Sequence, residues 1–470
     1  MASFIIYDLA FMILFGILAF LFFKKNKKNV KRQGWIFLYH SKVGIKWMDA
    51  VVDRFDKILK PTRYLVVGVG YILMITMIWM IGFAAYRYIT SPIPKQLQGM
   101  PPIAPLIPYF PKLFGMESFF PPLYFTYFLV ALAIVAVSHE FAHGVFARLH
   151  KIKVKTTGLA FFGPFFGAFV EPDEKQMQKA KKFPQLSILA AGVFANVLMT
   201  IIFILLLWSF FAYSFEPAGV TFNTYSQSIV SIPAIASING NSIDEFSQVE
   251  EFYEEGLNKI TVQNKEFWIP NKSLEKALEE NLEQVIVFDD TPAINADLRG
   301  VISKINENEI DSREELISTL KDFSPGEIVK IETIQEGMIV NFEVELSDRN
   351  GNAFLGIGFY EPPVKGFSGF LRTQFYKIKD PFVYYVPSWD GNFVQFIYDL
   401  LWWIVVINIL VALFNMLPIA LLDGGRFFYL TLWGITGSEK IGKKAFSYAT
   451  WAILAVLALM MARWMMLFIS

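Results

Sequence analysis

The residues best suited to chemistry in this chain are Ser138-His139-Glu140-Phe141-Ala142-His143-Gly144, which follow an apolar run with no charged residue from Phe119 to Ser138. On a helix, positions i and i+4 lie about 40° apart around the axis. His139 and His143 can therefore grip one metal ion between them, with Glu140 alongside to carry protons. An unpaired carboxylate in hydrocarbon costs roughly 2.5 kcal/mol or more, so an ionisable cluster here marks function before it marks packing.

A catalytic zinc usually takes three ligands from protein and leaves a fourth position for water. The chain holds four histidines, His40, His139, His143 and His150, and no cysteine. His150 lies seven residues past His143, about 10 Å farther along a continuous helix, and reads as an interfacial residue in a basic loop. His40 lies in a segment of mixed charges and aromatics and is no better placed. Asp423 is the stronger third ligand. It is read as closing its own span at the cytoplasmic end, level with the histidine pair, and Asn415-Met416-Leu417-Pro418 interrupts the helix before it. A broken helix bearing a carboxylate is expected where a site is built at membrane depth. The plainer alternative for Asp423 is a helix C-terminus in water.

The elements that must position these groups are membrane spans. Apolar segments at Leu9 to Phe23, Tyr64 to Tyr86, the stretch before His139, Phe183 to Phe215, Leu400 to Leu422 and Ala445 to Ala462 predict six helices. The first lacks a basic leader and a small-residue cleavage site, so it reads as a retained span. Basic clusters at Lys24 to Arg32, Arg148 to Lys155, Lys175 to Lys182 and Lys440 to Lys444 fall on one side of that count. By the positive-inside rule that side is cytoplasmic, which places both termini outside and the site near the cytoplasmic face. Trp35 to Lys60 reads as an interfacial helix and Pro363 to Asn392 as an interfacial aromatic segment. Thr157 to Glu174, with Gly158, Gly163-Pro164 and Gly167, is too broken for a helix and too apolar for a wet loop; a re-entrant hairpin beside the site is expected. In the fourth span Gly192 allows close helix approach, and Asn196 is a polar group that needs a partner.

Residues 216–362 change character. Strand alternation at Ile328 to Ile334 and Ile339 to Leu346 flanks a turn at Gln335-Glu336-Gly337, and Ser312 opens a helix. A weak repeat sets Ile235 to Ile243 against Ile302 to Ile310. The expected organisation is 1–121 (N-terminal spans and outer loop), 122–215 (first half of the core), 216–362 (a soluble α+β region outside) and 363–470 (second half of the core and last span). Bulk composition agrees: 54% of residues are hydrophobic, 48 are Phe, and mean hydropathy is +0.42. A formal net charge of zero gives no reason to expect nucleic acid, and the absence of cysteine excludes disulfides and thiol chemistry.

His139-Glu140-x-x-His143, Gly192-x-x-x-Asn196 and Asn415-x-x-Pro418-x-x-x-Leu422-Asp423-Gly424 resemble the signature set of the site-2 protease family of intramembrane zinc metalloproteases. Gly167 to Glu174 resembles its archaeal-like branch, and Thr291 to Phe359 resembles a PDZ-type domain. Two departures stand out. Ala420 occupies a place where the family often has a second proline, and Gly219 to Asp290 fits a PDZ pattern poorly. The resemblance implies one zinc per chain on His139, His143 and Asp423, Glu140 as proton carrier, and Asn196, Asn415, Pro418 and Gly424 as residues that support the ligands or bind substrate, Asn196 having helix packing as its plainer alternative. It also implies transmembrane protein substrates cut after a first outer-side cleavage, with peptide tails at the PDZ-like region. Two other classes compete with this reading. One is an inactive membrane scaffold, which has no need of Glu140; the other is a metal transporter, which needs more polar residues along its spans than this chain has.

Overall fold

The computed structural model describes residues 2–34, 36–90, 100–162, 165–243, 252–280 and 282–466. The chain divides into two compact units, 1–211 with 392–470, and 212–391.

The first unit is helical. Among the described residues six helices are long and apolar enough to cross a membrane, which makes this a multi-pass membrane protein. These are α1 (Ala2–Lys25), α2 (Ile45–Thr90), α3 (Phe125–Leu149), α4 (Lys182–Ser214), α5 (Gly391–Asn415) and, after an intervening α6 (Asp423–Thr436), α7 (Glu439–Met466). Two boundaries differ from the sequence reading. The expected interfacial helix at 35–60 is instead a strand, Ile36–Ser41, followed by a helix that runs from Ile45 into the second span, with non-helical dihedrals at Phe55 (φ −113°, ψ 17°) and Pro61 inside it. The β-branched and aromatic Ile36-Phe37-Leu38-Tyr39 favours the strand. Trp35 itself lies outside the described residues.

The second difference concerns Asp423, which does not close the fifth span. That span ends at Asn415, and Asp423 is the first residue of α6. Pro418 cannot continue a helix, and the chain resumes helical geometry only once past it. Lys440, Lys443 and Lys444 accordingly sit in the first turns of α7.

Small residues let the helices close on one another. Gly144 of α3 faces the Met48 side chain, and a Cβ on Gly70 of α2 would lie 3.0 Å from Cβ of Ala190 in α4 and 3.2 Å from the Phe427 ring in α6. The core that follows gathers Met48, Val66, Ala147, Ala190, Met416 and Phe427. A second cluster surrounds Trp403, whose indole nitrogen donates to the Pro122 carbonyl at 3.1 Å.

The histidine-bearing helix starts on an acidic side chain from elsewhere. Tyr124 at its N-cap makes no side-chain cap. Asp8 of α1, only 2% exposed, takes that place. It accepts from the Phe125 N–H (2.7 Å), the Thr126 N–H (2.9 Å), the Thr126 hydroxyl (2.6 Å) and the Tyr109 hydroxyl (2.5 Å). A carboxylate at a helix N-terminus satisfies donors the helix cannot and meets the positive end of its dipole.

The broken segment after α3 is a β-hairpin. β1 (Val30–Gln33), β2 (Ile36–Ser41), β3 (Val154–Phe162) and β4 (Phe165–Pro172) form one antiparallel sheet in that order, with β4 at its edge. Gly163 and Pro164 lie outside the described residues. Gly158 pairs with His40 on one side and Phe169 on the other, and without a side chain of its own it lets those two rings meet edge to face at 5.2 Å.

The second unit is mostly strand. One six-stranded antiparallel sheet orders Gln227–Ser231, Gln284–Asp289, Lys265–Pro270, Leu257–Val262, Ile235–Ile238 and Asn241–Ser242. The other contains Met338–Glu345, Ile328–Gln335, Val301–Ile305, Phe215–Thr221 and Val383–Pro387. The last strand lies in the aromatic segment after Pro363, where Val383 to Pro387 pairs with Phe215 to Val220. The weak repeat has a structural meaning. Asn239 and Asn306 each turn a hairpin at positive φ (49° and 51°). Each also binds the next strand twice, through its N–H to the carbonyl of Lys259 or Lys330 and through its side-chain oxygen to the same residue's N–H. Asparagine is suited to both tasks, since it tolerates the left-handed region and carries a short acceptor.

Replacing Asp8 by Ala strips four donors of their acceptor at a buried helix start. We expect the loss to exceed the ~0.5–2 kcal/mol of an exposed cap, seen as a fall of several degrees in the thermal unfolding midpoint of purified protein, with Asp8→Asn intermediate. An unchanged midpoint in Asp8→Ala would show that α1 contributes nothing to the start of α3.

Candidate metal centre

Helical spacing brings His139 and His143 onto one face of α3, where both are buried at 7% and 8% exposure. Their Nε2 atoms lie 3.0 Å apart. Asp423 enters from the start of α6, and its Oδ2 stands 3.1 Å from Nε2 of His139 and 3.2 Å from Nε2 of His143. The sequence predicted this residue from the wrong end of a helix; as the first residue of α6 its charge also meets a favourable dipole. Among the described residues His139, His143 and Asp423 form a group able to hold a metal ion.

The spacing fits a small divalent ion. Four ligands at 2.0–2.1 Å in a tetrahedron stand about 3.3 Å from one another, and these three atoms form a triangle of nearly that size. The outer nitrogens are tied off as a ligand set requires. Nδ1–H of His143 donates to the Ile188 carbonyl at 2.7 Å, which leaves the Nε2 lone pair facing the cluster. Nδ1 of His139 meets the Asn196 amide at 3.1 Å. When His139 ligates through Nε2, Nδ1 carries the proton, and a half-turn of the amide presents Oδ1 to accept it. Asn196 is fully buried; its other amide atom lies 3.5 Å from the Ser138 hydroxyl, which accepts from Nδ2 once the amide has turned.

Gly192 supplies the space. A Cβ there would lie 2.5 Å from Nε2 of His143 and 2.6 Å from Nε2 of His139. The close approach expected of this glycine is thus between a helix backbone and two imidazoles. Gly424 is needed for a different reason, since a Cβ on it would overlap the Met416 and Leu417 carbonyls and push α6 off the turn that delivers Asp423. Pro418 is buried in that turn, and its carbonyl accepts from the Thr450 hydroxyl at 3.0 Å. Asn415 ends α5 and makes no side-chain hydrogen bond to the ligands among the described residues.

Glu140 points to the sheet. Its Oε2 accepts from the Val170 N–H of β4 at 2.9 Å, so the edge strand and Glu140 are joined directly. His40 and His150 stay apart from the cluster. His40 meets the Thr156 hydroxyl at 3.2 Å, and His150, at the C-cap of α3, meets Ser187 at 2.7 Å. Three further partners of the site are not evident from the sequence: the Ile188 carbonyl, Asp8, and the ion pair of Arg426 in α6 with Glu174 just past β4 (3.0 Å). A lone acid in an otherwise apolar first span was the available signal for Asp8. A backbone carbonyl has no signal in residue type.

Histidines one turn apart, closed by a carboxylate from a separate helix and flanked by a free acid, are what a metallopeptidase of the polytopic membrane class requires. Comparison with known families agrees. Residues 127–461 match peptidase family M50, and the chain belongs to that family, the site-2 proteases. It is also 27% identical over 246 residues to an uncharacterized protein of Methanocaldococcus jannaschii, a match covering 48% of this chain and 59% of that protein. The chain thus spans less than two thirds of that relative's length.

Gly192→Val is expected to abolish metal binding, and Asn196→Ala to weaken it by roughly 10–100-fold, with helix content unchanged in both. Chelator competition against purified protein measures this. Wild-type affinity in Gly192→Val would place the metal elsewhere.

Proposed function

We propose that this protein is an intramembrane zinc endopeptidase that hydrolyses peptide bonds in transmembrane segments of other proteins. The observation that carries the reading is the His139–His143–Asp423 triangle next to Glu140, on helices apolar enough to lie in a bilayer. One zinc per chain on these three residues would supply Lewis-acid polarisation of the scissile carbonyl and acidify water.

The protein's own groups do the rest. Glu140 Oε2 is held by the Val170 N–H, while Oε1 has no hydrogen bond among the described residues. The free oxygen takes a proton from the attacking water and passes it to the leaving nitrogen. A substrate helix hides its carbonyls in its own hydrogen bonds, so it must unwind first. The outer edge of β4 offers an extended backbone on which the unwound segment can pair, at the strand that already touches Glu140. Asn196 orients His139, and Asn415 stands at the end of α5 as a polar group for substrate backbone.

The same reading places the β3–β4 hairpin as a re-entrant element, the site near the cytoplasmic face, and both termini with the soluble unit outside. Matched asparagine hairpins at Asn239 and Asn306 support two related modules in that unit, of PDZ type, which would bind peptide tails of substrates already cut once on the outer side.

Glu140→Gln should retain zinc and lose cleavage of a reporter transmembrane substrate by about 10²–10⁴-fold, whereas Asp423→Ala should lose the zinc itself. Undiminished cleavage in Glu140→Gln would remove that residue from the reaction. Full zinc occupancy in Asp423→Ala would remove the third ligand. Zinc binding without any cleavage by wild type would favour a scaffold.

A further inference from the structure

One groove in the membrane unit pairs an apolar floor with a basic mouth, and the proposed hydrolysis makes no use of it. Gly16, Ala19, Phe20 and Phe23 follow one another along a single face of α1, and Phe161 of β3 lines the opposite wall. The Phe23 and Phe161 rings meet edge to face at 4.6 Å and close the floor, while nothing lies within 4 Å of a Cβ built on Gly16. From Gly16 to Phe23 the groove follows the helix for about 10 Å, enough for a stretch of acyl chain.

At its other end stand Lys24, Lys27 and Arg32, completing a cleft of about 770 Å³. Arg32 lies over the Phe37 ring at 5.8 Å and its Nε donates to the Gly34 carbonyl at 3.0 Å. Counter-charge is missing locally. Between Asp8 and Asp49 the sequence has eight lysines and arginines and no carboxylate. Among the described residues none of these three cations forms an ion pair with a carboxylate. Cations gathered at the end of an apolar span, beside a groove open to lipid, match a ligand with a negative head and a hydrocarbon tail.

We propose that this cleft binds one anionic phospholipid, with the phosphate on Lys24, Lys27 and Arg32 and an acyl chain along the Gly16-to-Phe23 face of α1. Such a lipid joins α1 to the sheet whose edge strand holds Glu140. Binding therefore braces the wall of the catalytic site without touching its ligands.

The test uses the full chain in neutral detergent, with bound lipid counted by native mass spectrometry. Phosphatidylglycerol should bind wild type at least ten-fold more tightly than phosphatidylcholine with the same acyl chains. Each cation is worth about five-fold near a charged headgroup, so Lys24→Gln/Lys27→Gln/Arg32→Gln should weaken phosphatidylglycerol on the order of 100-fold. Lys440→Gln/Lys444→Gln, which removes charge from a different basic cluster, should leave it unchanged. Ala19→Trp keeps every charge and fills the apolar floor; it too should weaken binding, and it carries the test if the triple variant does not fold. Inorganic phosphate should not displace the lipid. Equal affinity for the two lipids, equal losses in the two charge variants, full binding by Ala19→Trp, or displacement by phosphate would each overturn the proposal.

Discussion

Two imidazole lone pairs and a carboxylate oxygen held within 3.2 Å of one another repel unless a positive charge lies between them. Folding brings them together because each group is secured from behind. His143 is tied to the Ile188 carbonyl, His139 to Asn196, and Asp423 to the first turn of a helix. Gly192 adds the empty volume that lets both rings face the same point. The arrangement stores an electrostatic demand, and in a water-poor interior that demand is met by a cation far better than by rearrangement. The remaining architecture of the membrane unit keeps these restraints in place: Asp8 starts the histidine helix, small residues bring α2 and α4 against it, and the turn after Asn415 aims α6.

Much of this was legible in residue type. Spacing of four between His139 and His143 is meaningful only on a helix, and the apolar run before them made a helix the sole economical form. Family membership followed from three short motifs in one order, and the match over residues 127–461 bears it out. Six apolar segments became six long helices because hydropathy over some twenty residues leaves the backbone few alternatives. The asparagine repeat, faint as sequence, marked two hairpins built the same way.

What the sequence concealed has physical reasons. Helix direction at Asp423 was misjudged because composition records how apolar a segment is and not where its hydrogen bonds restart after a proline. The strand at Ile36 was hidden by flanking charges that resemble an interfacial helix. The strand at Val383 to Pro387 was hidden because an aromatic strand and an aromatic membrane belt have the same composition, and only its partner, Phe215 to Val220, reveals the pairing. Contacts through backbone atoms, such as Val170 to Glu140, leave no trace in side-chain identity at all.

The kink at Phe55 separates α2 into a short leg and a long one. Met48 of the short leg packs on Gly144, next to His143, and Asp49 pairs with Arg148 near the end of the same helix. Those two side chains are 38% and 31% exposed, so dissolved ions reach them. The histidines one turn deeper are shielded. Salt therefore reaches the pair that joins the short leg of α2 to the end of α3 more readily than it reaches the histidines.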